Sequence, residues 1–197
     1  MTGARRLSQA ISEGDGISVL VHVEDAESAR AAEGQGAEGL ALVRPAGGVR
    51  DASGLPILYR AGDSPEAARD AGADAWLLVA EHFHDEGDLL EELYARALEL
   101  GLECVVDVRD DDELQLVLER IDPEILMLSA REAEESETAL DRVLELLPDV
   151  PAGKLAIAEL GATTREEVVA LERAGVDGVL VGAGNVAELV GVAPPQV

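Results

Sequence analysis

The sequence has very little of several residue types that usually point to particular protein classes. Cys104 is its one cysteine, which excludes an intrachain disulfide, and its place in an apolar run predicts a buried, reduced thiol. No apolar run reaches the roughly 18 residues of a transmembrane helix. The N-terminal stretch MTGARRLSQAISEGDG lacks the apolar core of a signal peptide. These features together predict a cytoplasmic protein.

Lysine is nearly missing as well, and acidic residues dominate the charge. Lys154 is the single lysine among 15 basic residues, against 41 acidic ones, giving a formal net charge of −26. Such a surface repels nucleic acid and anionic lipid, so we expect neither as a partner. Adaptation to concentrated salt and the acidic bias of a GC-rich genome both explain this composition, and an engineered sequence is a third explanation.

Eight short apolar stretches recur along the chain. They are rich in Val, Leu and Ile and mostly continuous, which is typical of parallel strands covered on both faces. The predicted strands are Ile17–Val23, Gly39–Val43, Pro56–Arg60, Ala75–Ala80, Glu103–Val108, Glu124–Leu128, Lys154–Glu159 and Gly178–Gly182.

Helical patterns separate most of these stretches. The predicted helices are Asp25–Glu33, Pro65–Asp70, Glu86–Leu100, Asp111–Arg120, Glu137–Leu147, Thr163–Ala174 and a short Asn185–Val190. The connection Pro45–Leu55 is too short for a normal helix. A repeated phrase, in which a glycine ends a helix and an acid precedes a strand, begins at Gly36, Gly72 and Gly175.

Eight strands alternating with helices predict an α/β fold, a compact parallel (β/α)8 barrel with a shortened second helix. We divide the chain into an N-terminal segment over residues 1–16, a barrel over 17–191 and a tail over 192–197. A doubly wound open sheet is the alternative, but no Gly-X-Gly-X-X-Gly fingerprint follows the first strand.

In a barrel, function lies at the C-terminal ends of the strands. Side-chain alternation sends a polar set to that end: His22, Glu24, Arg44, Arg60, His82 or His84, Asp107, Arg109, Ser129, Arg131 and Glu159. The four arginines suggest either an anion site or an ionic network with the carboxylates that closes the barrel mouth. Asp107 and Glu159 are an acid/base pair or salt-bridge partners of these arginines.

The strand-four region has two further features. The histidines of His82-Phe83-His84 have a spacing that could ligate a metal such as zinc together with His22 and Asp107. The surrounding acids favour a solvated loop instead, so we predict no metal and no cofactor. Trp76 is predicted to pack in the core rather than to stack on a ligand.

Four stretches resemble indole-3-glycerol-phosphate synthase, a barrel enzyme of tryptophan synthesis. AGADAWLLVAEHFHDEGDLLEELYARALELGLECVVDVRDDDEL (Ala71–Leu114) and LAIAELGATTREEVVALERAGVDGVLVGAGN (Leu155–Asn185) are similar to that family in phrase order. LPILYRAGD (Leu55–Asp63) and ILMLSARE (Ile125–Glu132) fall at matching positions. The resemblance covers roughly residues 55–190. It implies a lyase that closes an indole ring with loss of carbon dioxide and water.

The resemblance also implies site residues. The family's acid lysine aligns with Arg60, and its glutamates on the fifth and seventh strands align with Asp107 and Glu159, so these three are the catalytic candidates. Ser129 and Arg131 fall where the family binds substrate. The family's lysines have no counterpart here, and an arginine is a poor proton donor at neutral pH.

The last strand runs into a glycine-rich turn. Gly161, Gly182, Gly184 and Asn185 are predicted to bind the phosphate of a small-molecule ligand through exposed amides at the ends of the last two strands. The sequence therefore favours a divergent or repurposed member of the family, with a phosphate site and without strict synthase activity. The alternative is a non-catalytic barrel that binds a phosphorylated metabolite or serves as an assembly subunit.

Overall fold

A computed structural model of the chain describes residues 7–14, 16–61, 64–83, 87–130, 138–161, 163–184 and 186–190. Its eight strands form a closed parallel barrel in chain order, in which the last strand pairs with the first. This confirms the predicted (β/α)8 fold. None of the helices in these ranges has the length and apolar character that a membrane crossing requires.

The observed elements match the predicted ones within a few residues at each end. The strands are β1 (Ser18–His22), β2 (Gly39–Leu42), β3 (Ile57–Tyr59), β4 (Ala75–Val79), β5 (Glu103–Val108), β6 (Ile125–Ser129), β7 (Leu155–Glu159) and β8 (Gly178–Val181). The helices are α1 (Leu7–Ser12), α2 (Ala26–Gly34), α3 (Val49–Ala52), α4 (Pro65–Asp70), α5 (Gly87–Glu99), α6 (Asp111–Arg120), α7 (Ala139–Leu146), α8 (Arg165–Ala174) and α9 (Val186–Val190). Helix α3 has four residues, as the short second connection predicted.

The barrel has two apolar layers because strand side chains alternate between its inside and its outside. The inner cluster is built around Leu20, Leu58, Val105, Met127 and Ile157. The larger outer cluster fills the space between the strands and the helices, and it contains Trp76 and Cys104. Burial raises the pKa of the Cys104 thiol, so it stays protonated, in line with the predicted buried, reduced cysteine.

The repeated phrase before the strands has a structural cause. Gly72 and Gly175 adopt left-handed backbone conformations with φ of 74° and 96°, which end α4 and α8. The acid that follows then caps a neighbouring strand. Asp74 accepts a hydrogen bond from the amide of Ile57 at 2.8 Å, and Asp177 accepts one from Ala156 at 2.8 Å.

Helix α1 closes the N-terminal end of the barrel, and the sequence analysis assigned no element to it. Leu7 and Ile11 join the inner cluster, and Glu103 accepts hydrogen bonds from the Leu7 amide (2.5 Å) and from the Ser8 hydroxyl. The helix lies within the predicted N-terminal segment 1–16. The spacing of Leu7, Ala10 and Ile11 was the available signal, but one helical turn and a half is too short for a periodicity to stand out.

Candidate functional site

Five polar side chains enter the barrel at its mouth. The residue two positions before each of them belongs to the inner cluster, so alternation directs all five to the inside at the C-terminal end. They are His22 on β1, Arg60 directly after β3, Asp107 on β5, Ser129 on β6 and Glu159 on β7. The structure thus brings four of the predicted site residues together, with His22 as a fifth member.

Arg60 is the centre of a three-residue polar network. Its Nη2 donates to Glu159 Oε2 at 2.6 Å, and its Nη1 lies 2.8 Å from His22 Nε2. A guanidinium only donates, so His22 Nε2 must accept, which assigns the imidazole proton to Nδ1. His22 Nε2 also lies 3.9 Å from Glu159 Oε1. The arginine side chain is 7% exposed, so the pair is largely withdrawn from water.

Asp107 and Ser129 are the most buried of these five residues. Asp107 is fully buried and lies in register with Val79 and Met127. Ser129 is 1% exposed and lies in register with Glu159, and its hydroxyl makes no hydrogen bond to the described residues. The mouth thus combines a hydroxyl, which can donate or accept a hydrogen bond, with a carboxyl group.

Arg109 does not enter the mouth, contrary to the sequence interpretation. Strand β5 ends at Val108, and Asp110 caps α6, so the chain turns outward before Arg109. Its guanidinium contacts Glu113 at 2.6 Å and Glu81 at 2.9 Å. The hydrogen bond that Arg109 donates to Glu113 is the largest of the causes that raise the pKa of Arg109, so the guanidinium remains charged.

The other described residues that the sequence placed at this end of the barrel lie on its surface. Arg44 and Glu24 form an exposed pair at 3.8 Å, outside the barrel mouth. His82 lies exposed in a 3-10 helix over Ala80–Phe83, in agreement with the favoured polar surface. The described residues contain no cluster of three or more potential metal ligands. Arg131, His84 and Asn185 lie outside the described residues.

The glycine-rich turn after β8 is open to solvent. Gly161, Gly182 and Gly184 are exposed, and Gly161 has a left-handed φ of 81°. A Cβ added at Gly161 or Gly182 would meet no atom within 4 Å. In the part of the chain that the structure describes, the amides of Gly182, Ala183 and Gly184 donate none of the turn and loop hydrogen bonds. A cavity of about 200 Å³ beside the turn is lined by His22 and Gly184 among others.

The role of His22 was missed by sequence reasoning, which placed the residue at the mouth but did not pair it with Arg60. The available signal was its position two residues after Leu20. The partner could not be read from the sequence, because Arg60 is 38 residues away.

Comparison with solved structures shows the same fold at low identity. The N-acetylmannosamine-6-phosphate 2-epimerase from Clostridium perfringens has a TM-score of 0.67 at 14% identity, covering 87% of this chain and 88% of its own. A mutant tryptophan synthase alpha-subunit from Pyrococcus furiosus has a TM-score of 0.64 at 18% identity, covering 89% and 98%. These similarities support the barrel architecture alone.

Comparison with known sequences identifies a family and not only a fold. The indole-3-glycerol phosphate synthase of a Geobacillus species is 35% identical over 111 residues, which is 56% of this chain and 42% of that protein. The synthase of Salinibacter ruber is 41% identical over 118 residues, or 58% and 42%. The chain thus spans about half the length of these relatives. The family model for indole-3-glycerol phosphate synthase matches residues 65–188. The chain therefore belongs to the indole-3-glycerol phosphate synthase family.

Proposed function

We propose that this barrel binds a phosphorylated small molecule at the ends of β7 and β8 and that it does not carry out the ring closure of its family. The observation that carries this proposal is the Arg60–Glu159 ion pair. The resemblance assigns a proton donor and a charge-stabilising carboxylate to these two positions. Here the two groups neutralise each other at 2.6 Å instead.

The chemistry of Arg60 supports the loss of synthase activity. An arginine has a pKa above about 12 and does not give up its proton at neutral pH. Its two terminal nitrogens are occupied by Glu159 and His22. The single lysine cannot replace it, because Lys154 lies at the opposite end of the barrel, bound to Asp122 and to the Pro123 carbonyl.

The glycine turn supports phosphate binding. Exposed amides at Gly182 and Gly184 offer donors that need no lysine, and the absence of side chains lets an anion approach the backbone. Backbone donors are a suitable choice in a chain of net charge −26, because they attract an anion only at short range.

Calorimetric titration with ribose 5-phosphate, with unphosphorylated ribose as the reference, tests the binding half of this proposal. We expect saturable binding of the phosphorylated sugar alone. Gly182→Asp puts a carboxylate at the anion position and should weaken binding at least about tenfold. Gly34→Asp, at an exposed glycine near the other end of the barrel, is the matched control and should leave binding unchanged. Equal affinity of the two variants would contradict the proposed site.

A direct assay of indole-3-glycerol phosphate formation tests the second half. We expect the chain to show no turnover above that of its Arg60→Ala variant. Turnover that the wild type supports and Arg60→Ala abolishes would show that the arginine performs the chemistry, and it would overturn this part of the proposal.

A second candidate function is a lyase of altered chemistry, in which Asp107 acts as a base or charge stabiliser. The observation in its favour is the complete burial of an ionisable carboxyl at the mouth, since such groups cluster at functional sites. Asp107→Asn should then abolish turnover of the phosphorylated ligand and leave its affinity unchanged.

The assembly alternative has no comparable support. Among the described residues, the large apolar side chains that are exposed are Val43, Leu89 and Leu98.

A further inference from the structure

The barrel wall has a seam between β3 and β4. These strands pair over two residue pairs, Leu58 with Ala75 and Tyr59 with Trp76, whereas β4 and β5 pair over five. Strand β3 ends at Tyr59, so the last three residues of β4 continue without a described strand partner on that side. Side chains from both faces of β4 line one cavity at this height, Leu77 from the inner cluster and Leu78 from the outer cluster.

A cavity of about 360 Å³ occupies this seam. Apolar side chains make up most of its lining, among them Leu78 of β4, Phe83 of the 3-10 helix, and Leu89 and Leu93 of α5. Arg60 and Trp76 also line it. Its volume suits a small molecule, and it lies on the β3–β4 side of the barrel, away from the turn after β8.

Two hydrogen-bond donors of this lining are buried without an acceptor in the described part of the chain. Neither Trp76 Nε1 nor Arg60 Nε has a partner among the described residues, although Arg60 uses both terminal nitrogens on Glu159 and His22. Both atoms can only donate. Unmet buried donors are uncommon because they lose their hydrogen bond to water and gain nothing in return. Two of them in the lining of one apolar cavity indicate a ligand that brings an acceptor.

The charge balance of the cavity selects a neutral acceptor. Glu159 already compensates the charge of Arg60, and the other basic side chain of the lining, His82, is exposed. A further buried carboxylate would therefore lack a buried counter-charge. We propose that the seam cavity binds a neutral, mainly apolar small molecule whose carbonyl oxygen accepts hydrogen bonds from Trp76 and Arg60. This proposal is independent of the phosphate site.

The chain carries its own reporter for this site, because Trp76 is its single tryptophan. In a nitrogen-15 correlation spectrum it gives one indole N–H signal. We expect cyclohexyl methyl ketone to shift that signal saturably, and the near-isosteric hydrocarbon isopropylcyclohexane to shift it far less. Cyclohexanecarboxylate should bind at least about tenfold more weakly than the ketone. No saturable shift, or equal shifts with ketone and hydrocarbon, would overturn the proposal.

A pair of variants on α5 locates the binding. Leu89→Glu places a charge in the apolar lining and should weaken ketone binding about tenfold. Leu98→Glu places the same charge on the same helix outside the cavity, and both positions are part-exposed, so both variants should fold. Equal ketone affinity in the two variants contradicts the assignment of the shift to the seam cavity.

Discussion

The two ends of the barrel each hold a glutamate in their inner layer, and the two glutamates differ in what they bind. Glu103, at the N-terminal end, accepts hydrogen bonds from the backbone amides of Leu7 and Ser8 and from the Ser8 hydroxyl. Glu159, at the C-terminal end, pairs with Arg60 and lies near His22. The Glu103 carboxylate therefore binds the backbone of α1, whereas the Glu159 carboxylate binds side chains at the ends of other strands.

This difference shows how one fold separates stability from function. At the N-terminal end the partners are fixed backbone groups under an apolar plug, and no ligand can displace them without removing α1. At the C-terminal end the partners are side chains, which can exchange one anionic partner for another. The mouth is therefore the end where a ligand can compete, in agreement with the general placement of function in this fold.

The largest expected effect concerns the ion pair of the mouth. Arg60→Met leaves Glu159 part-buried without its cation, so we expect the free energy of unfolding to fall by about 3 kcal/mol. Arg44→Met removes an arginine that is 68% exposed, and it should change stability by less than about 0.5 kcal/mol. Denaturant titration measures both. A similar loss in the two variants would mean that the mouth pair behaves as a surface pair.

The apolar plug at the opposite end should be nearly as sensitive. Leu7 is fully buried in the inner cluster, and Leu7→Ala should cost about 3 kcal/mol of unfolding free energy. The control Leu98→Ala truncates a leucine that is 49% exposed and should have little effect. If both variants unfold at the wild-type denaturant concentration, α1 is not part of the cooperative core.

A smaller effect is expected at Glu103 itself. Glu103→Gln keeps the shape but removes the negative charge at the start of α1, which should lower stability by about 1 kcal/mol. Limited proteolysis should show faster cleavage near residue 7 in this variant. Glu92→Gln, at an exposed glutamate of α5, should match the wild type in both measurements. Unchanged proteolysis of Glu103→Gln would refute the role of Glu103 in holding α1.

The smallest effect is expected at His22. Gln supplies a carbonyl oxygen that can accept from Arg60, so His22→Gln should stay within about 0.5 kcal/mol of the wild type, whereas His22→Leu should lose about 1 kcal/mol. Thermal unfolding of the two variants shows whether His22 acts as a hydrogen-bond acceptor or only fills space. If the Leu variant is as stable as the Gln variant, the contact with Arg60 adds nothing.

Much of the fold follows from local sequence patterns. Continuous runs such as Glu103–Val108 predicted strands buried on both faces, and all six of these residues are buried. Alternation from Leu20 and Ile157 correctly sent His22 and Glu159 into the mouth. The same rule failed at Arg109, because it holds only while the strand continues, and a helix cap one residue later turned the chain outward.

The phosphate turn and the roles of the site residues remain predictions. Gly182 and Gly184 have the exposure that an anion site needs. Ser129 lies beside Glu159 as the strand order requires, and its role depends on what enters the mouth.

The sequence by itself determined the order of the elements, the closed barrel and the five polar residues that enter its mouth from the strands, because these depend on hydrophobic period and chain order. Only the tertiary structure decided that Arg60 is neutralised by Glu159, 99 residues away, and that a short β3 leaves a seam beside Trp76. The physical reason is that contacts across a barrel depend on the stagger and length of strands that are not neighbours in the chain, and no local pattern encodes these distances.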